Sequence, residues 1–64
     1  MNKKEAVAEM QIGNKVTHRY FSSDEWMTMK NGNILFEDGV LCEPDEFWKY
    51  RTDSSWNNDY VLWK

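Results

Sequence analysis

A single cysteine, Cys42, and a single histidine, His18, leave this chain without the means to build an internal disulfide or a conventional zinc site. No long apolar run follows Met1-Asn2-Lys3-Lys4, so neither a secretory signal nor a membrane span is expected, and the protein is expected to remain in the cytoplasm. No stretch of lysine or arginine reaches any length, which disfavours direct binding to duplex nucleic acid. With 64 residues there is room for one domain, residues 1–64, but hardly for a buried catalytic cleft with its walls. A non-enzymatic chain with no cofactor is the expectation. A core of this size supplies about 3–5 kcal/mol, and without disulfide or metal the remaining source of stability is self-association. A homo-oligomer is therefore expected.

What the chain has in excess is aromatic surface. Four tryptophans, three tyrosines and three phenylalanines make up 16% of the residues. A domain this short buries only about 60% of the surface its unfolded chain exposes, so some rings must face a ligand, a partner or another copy. Charge is also uneven. Residues 1–19 hold Lys3, Lys4, Lys15 and Arg19 against Glu5 and Glu9, a balance of +2, while the remainder holds four cations against nine acids, a balance of −5. A solvated acidic surface is the plain explanation, and mimicry of a nucleic acid's charge is the sharper one.

Along the chain, Asn2 and Glu5 form a capping-box pattern, and Ala6, Val7 and Met10 share one face, predicting a helix over residues 3–11 that stops at Gly13. Residues 15–21 alternate around Val16 and Thr17 and read as a strand. Asn31-Gly32 supplies two positive φ angles, predicting a type I′ hairpin over residues 26–37, and Asp38-Gly39 repeats the signal before a strand at 40–42. Pro44 followed by Asp45 and Glu46 predicts a short helix from 44 to about 50. Residues 53–58 read as loop around Trp56, and residues 60–63 as a closing strand that is apolar on both sides and needs cover on both. The sum is an α+β domain: an N-terminal amphipathic helix packed on a small antiparallel sheet of hairpins, with a short helix before the closing C-terminal strand.

Two constellations carry candidate binding residues. His18, Arg19, Tyr20, Phe21 and Trp26 combine a cation, an imidazole and ring planes, a set suited to phosphate and a stacked base, or alternatively to covering the sheet. Trp56, Asn57, Asn58, Asp59 and Tyr60 put amide and carboxylate edges beside two rings, a set that reads polar ligand edges or, alternatively, closes a turn on its own backbone. Neighbouring acids at Glu37 and Asp38 are explained by a hairpin tip, His18 has no nucleophile or acid in a recognisable relation to it, and Cys42 reads as a small packed residue.

A helix ending at Gly13, the run Lys15-Val16-Thr17-His18-Arg19-Tyr20-Phe21, a strand led by Trp26, the Asn31-Gly32 hairpin and a closing Asn58-Asp59-Tyr60-Val61 together resemble small phage proteins related to the Thoeris anti-defence nucleotide sponges. Members of that group show a helix, a glycine, Lys-Lys-Val, then arginine two places on, tryptophan three further, and an Asp-Trp pair near the end. Here Asn14-Lys15, His18, Phe21 and Tyr60 stand at those positions, each aromatic position keeping an aromatic. The resemblance implies a homo-oligomer that sequesters a nucleotide-derived immune signal without chemistry. Phe21, Trp26 and Tyr60 would then stack, Arg19 and His18 would meet phosphate, and Asn58 and Asp59 would read polar edges. A second expectation, from composition, is a small acidic inhibitor that docks on a host protein through Trp48 and Trp56, ringed by Asp45, Glu46, Asp53 and Asp59.

Overall fold

Helix α1 (Lys3–Gln11) begins where the sequence places it, for a local reason: the Glu5 amide donates to Asn2 Oδ1 at 2.8 Å while the Asn2 amide donates to Glu5 Oε1 at 3.0 Å. Its end is a Schellman closure, with the Gly13 amide on the Met10 carbonyl and the Asn14 amide on the Glu9 carbonyl, both at 3.0 Å. Gly13 takes φ +95°, a conformation that side chains rarely adopt. In this computed structural model, which describes residues 1–64, the chain continues through β1 (Val16–His18), β2 (Met27–Lys30), β3 (Asn33–Phe36), β4 (Leu41–Cys42), α2 (Pro44–Lys49), a 3₁₀ turn (Ser54–Trp56) and β5 (Tyr60–Leu62).

The strands form one antiparallel sheet in the order β4-β3-β2-β1-β5. Asn31 and Gly32, at φ 53° and 82°, make the two-residue turn that sets Lys30 opposite Asn33. The second hairpin differs from its expectation. Only Gly39 has positive φ, and its amide donates to the Phe36 carbonyl while the Phe36 amide donates to that of Val40. This is a three-residue connection, a type I turn followed by a bulge glycine, in place of a second type I′ turn. Closing strand β5 returns to the far side of β1, with Val16 opposite Leu62 and His18 opposite Tyr60.

Both helices lie on one face of this α+β fold. Ala6 and Met10 from α1 and Phe47 from α2 pack with Val16, Met27, Ile34 and Tyr60 into a single core. Alternation along the strands sends Lys15, Trp26, Leu35, Leu41, Val61 and Trp63 to the opposite face, which no helix covers. Two expectations are corrected here. The strand expected over 15–21 stops at His18, because the Phe21 amide folds back onto the His18 carbonyl at 2.8 Å and puts Tyr20 and Phe21 in a turn. The closing strand is not covered on both sides either: only Tyr60 is buried, and Val61 and Leu62 stay 56% and 43% exposed at the sheet edge.

Of the ten rings, only Phe47 and Tyr60 are buried. Tyr20 and Tyr50 are exposed, and the other six are half-buried. The surplus of ring surface inferred from composition is thus present in the folded chain.

Candidate functional site

The eight residues singled out from the sequence divide between the two sides of the sheet. On the helix side, His18, Phe21, Trp56 and Tyr60 come together. The His18 imidazole stacks on Trp56 at 4.3 Å between centroids and 23° between planes, and it meets Tyr60 edge-on at 4.6 Å. Phe21 reaches the same cluster, 6.1 Å from Trp56.

His18 is only 2% exposed, and both its nitrogens are engaged. The Tyr20 amide donates to Nδ1 at 3.2 Å, which makes Nδ1 an acceptor and places the proton on Nε2. From there it is shared between the carbonyls of Asn58 at 2.8 Å and Ser55 at 3.0 Å. His18, expected on a ligand phosphate, is thus engaged internally, as a clamp between β1 and the 54–58 segment. Tyr60 is similarly committed. Its hydroxyl donates to the Trp56 carbonyl at 2.6 Å, and burial pushes the phenol up to about 12 while the nearby Arg51 guanidinium pulls the other way. A buried ring with its hydroxyl occupied offers no stacking plane to an outside ligand, which corrects that expectation for Tyr60 as well.

Arg51 belongs to this cluster and was not singled out in the sequence. Its guanidinium lies 4.0 Å from the Phe47 ring and 5.2 Å from Trp56, and Nη1 donates to the Phe47 carbonyl. Its Nε is buried with no hydrogen-bond partner. Only its place seven residues after Pro44, two residues past the end of the short helix, could have hinted at that stacking. Trp48 also packs inward, against Phe47 at 4.8 Å and beneath the Lys3 ammonium. Trp48 and Trp56 are thus half-buried packing residues, which weakens their expected part as anchors on a partner protein.

Arg19 and Asp59 form the chain's one ion pair, Nη1 to Oδ2 at 3.4 Å, with both side chains largely in solvent. Such a pair is worth under about 1 kcal/mol, so Arg19 is free to exchange its partner for an incoming anion. Asp59 holds φ 73°, and Asn58 has its carbonyl on His18 while its side chain is exposed.

Trp26 stands apart from all of these. On the uncovered face it pairs with Trp63, centroids 6.0 Å apart and planes at 47°, and the Lys15 ammonium sits 4.3 Å from the Trp26 ring and 5.6 Å from that of Trp63. Trp63 Nε1 donates to the Ser23 carbonyl at 3.0 Å, and its amide donates to the Lys15 carbonyl at 2.9 Å, so the indole is fixed by the ladder and by the 22–25 loop. Sequence reasoning named Trp26 but missed Lys15 and Trp63 as its companions. The signal that joins them is the β1–β5 register, which brings the end of the chain beside residue 15.

A shallow depression of about 570 Å³ lies elsewhere, along the outer side of α1 between Lys3, Lys4, Val7, Gln11 and Asn57. None of the eight expected residues lines it. No helix is long and apolar enough to cross a membrane. Compared with protein-family models, curated proteins and solved structures, the chain finds no match.

Proposed function

We propose that this chain is a non-enzymatic binding protein that takes a planar, anionic, nucleotide-derived ligand on the uncovered face of its sheet. The observation that carries this reading is the pair of half-buried indoles, Trp26 and Trp63, with the Lys15 ammonium over them on a face that no helix occupies. Stacking a base on such a ring is worth about 1–3 kcal/mol, whereas an exposed lysine–indole contact is worth about 0.5–1 kcal/mol. A base therefore displaces the Lys15 ammonium from Trp26 at small cost. The freed cation then stands beside the ligand, where it neutralises phosphate.

The resemblance to the phage nucleotide sponges supports the same ligand class, and it supports a role in sequestering an immune signal of the host. Association between copies fits the reading as well: Val61 and Leu62 at one sheet edge and Val40 and Leu41 at the other are each exposed.

Titration with a panel of cyclic dinucleotides and cyclic ADP-ribose isomers, followed by calorimetry and indole emission, tests the proposal. One class is expected to bind with quenching, and Trp63→Ala and Lys15→Ala are each expected to weaken it at least about tenfold, the equivalent of 1.4 kcal/mol. Silence across the panel would sink the reading, and a stoichiometric host protein recovered in place of any small molecule would favour protein docking instead.

A further inference from the structure

We propose that His18 is a pH-sensitive latch: protonation of its buried imidazole releases the 18–21 turn, and with it Arg19 and Tyr20, while the 54–58 segment stays anchored.

The argument is one of donors and acceptors. Nε2 carries the only proton of the neutral ring and gives it to the Asn58 and Ser55 carbonyls, an interaction that an imidazolium keeps and strengthens. Nδ1 is different. It accepts from the Tyr20 amide, and a proton added to Nδ1 sets two N–H groups against each other at 3.2 Å. Neither can turn away without moving, because the ring is held by its stack on Trp56 and the Tyr20 amide by the adjacent bond from the Phe21 amide to the His18 carbonyl. The turn is the weaker side. Its residues Arg19, Tyr20 and Phe21 are exposed or half-buried, whereas the ring is also held from outside the turn by Trp56 and Tyr60.

No carboxylate is paired with the imidazole, and the Met1 ammonium, on the carbonyl of the neighbouring Tyr60, adds a cation to this side. Arg51 stacks on the same Trp56 indole and opposes a second cation there. The carboxylates of adjoining segments are engaged elsewhere: Asp53 with the Ser55 hydroxyl, Asp59 with Arg19. On α1, Glu5 and Glu9 are turned to Asn2 and Asn14. The Tyr60 hydroxyl is spent on the Trp56 carbonyl.

The consequence reaches the sheet end. Arg19 lies between His18 and Tyr20, and its partner Asp59 follows Asn58, whose carbonyl the imidazole holds. Opening the turn separates a loosened Arg19 from an Asp59 that stays in place.

The test uses the intact chain and needs no variant. Imidazole protonation is followed by the carbon-bound proton shifts of the single histidine, and opening by amide hydrogen exchange, corrected for the intrinsic pH dependence of exchange. Protection at the Tyr20 and Phe21 amides is expected to fall about tenfold or more with the same midpoint as the imidazole titration, while amides of α1 and the β2–β3 hairpin keep theirs. Titration of the imidazole with unchanged protection at Tyr20 and Phe21 would overturn the proposal. So would an imidazole that stays neutral until every amide is lost together.

Discussion

Histidine 18 shows how a residue's identity can be legible while its role is not. Its type and its place on a strand were evident from the alternation around Val16, but its partners are carbonyls of Ser55 and Asn58, 37 and 40 residues away, in a segment whose path no local pattern fixes. Tyr60 was likewise named as a ligand plane and is instead a buried strut. Tyr60→Phe removes the hydroxyl that satisfies the Trp56 carbonyl and is expected to cost about 1 kcal/mol, seen as a lower urea midpoint at unchanged slope. The phenol also predicts alkaline behaviour. An unfolded tyrosine releases its proton near pH 10, whereas the folded one, desolvated, keeps it to about 12. Between those values the folded chain binds the extra proton, so stability is whole below pH 10 and declines as pH rises toward 12. A Tyr60→Phe chain should decline less over that interval in chemical denaturation.

Elements were legible in proportion to how local their causes are. Both ends of α1 follow from residues within five positions of each other, and the structure keeps the box and the glycine closure that the sequence announces. Nothing stands within 4 Å of a Cβ built on Gly13, so Gly13→Ala meets only backbone strain at φ +95°. Its expected cost is about 1–2 kcal/mol, read from thermal or urea unfolding. Asn2→Ala removes one half of the box and is expected to cost about 1 kcal/mol by the same measurement. The Asn31-Gly32 turn was equally plain. The Asp38-Gly39 signal is ambiguous because a single glycine serves either loop length, and the pairing of Ile34 with Cys42 across the hairpin selects the longer one. The short 3₁₀ turn around Trp56 was not foreseen, since serines and asparagines announce a change of direction without saying which.

At the scale of the whole molecule, one sheet face is packed under two helices and the other carries aromatic and aliphatic side chains with no layer above them. Composition announced that surplus of rings, but not its division: Trp48 and Trp56 go to the packed side, Trp26 and Trp63 to the open one. Only strand order decides this, and strand order depends on contacts between the two ends of the chain. The division makes a prediction that separates binding from folding. Lys15→Ala, an exposed change that gives up the ammonium's contacts with the two indoles, is expected to cost no more than about 1 kcal/mol in urea unfolding while weakening a phosphate-bearing ligand. The ligand's affinity should also fall as salt rises, because Lys15 is a solvent-exposed charge.

The two indoles of the open face have an optical consequence. With ring centroids 6.0 Å apart and planes inclined at 47°, the two indoles lie close enough for their electronic transitions to couple as an exciton pair and split the far-ultraviolet circular dichroism into a couplet. A molecule sliding between those rings, or any rearrangement that parts them, would erase that couplet while the helical bands persist, giving the chain a built-in, label-free readout of what happens on its bare side.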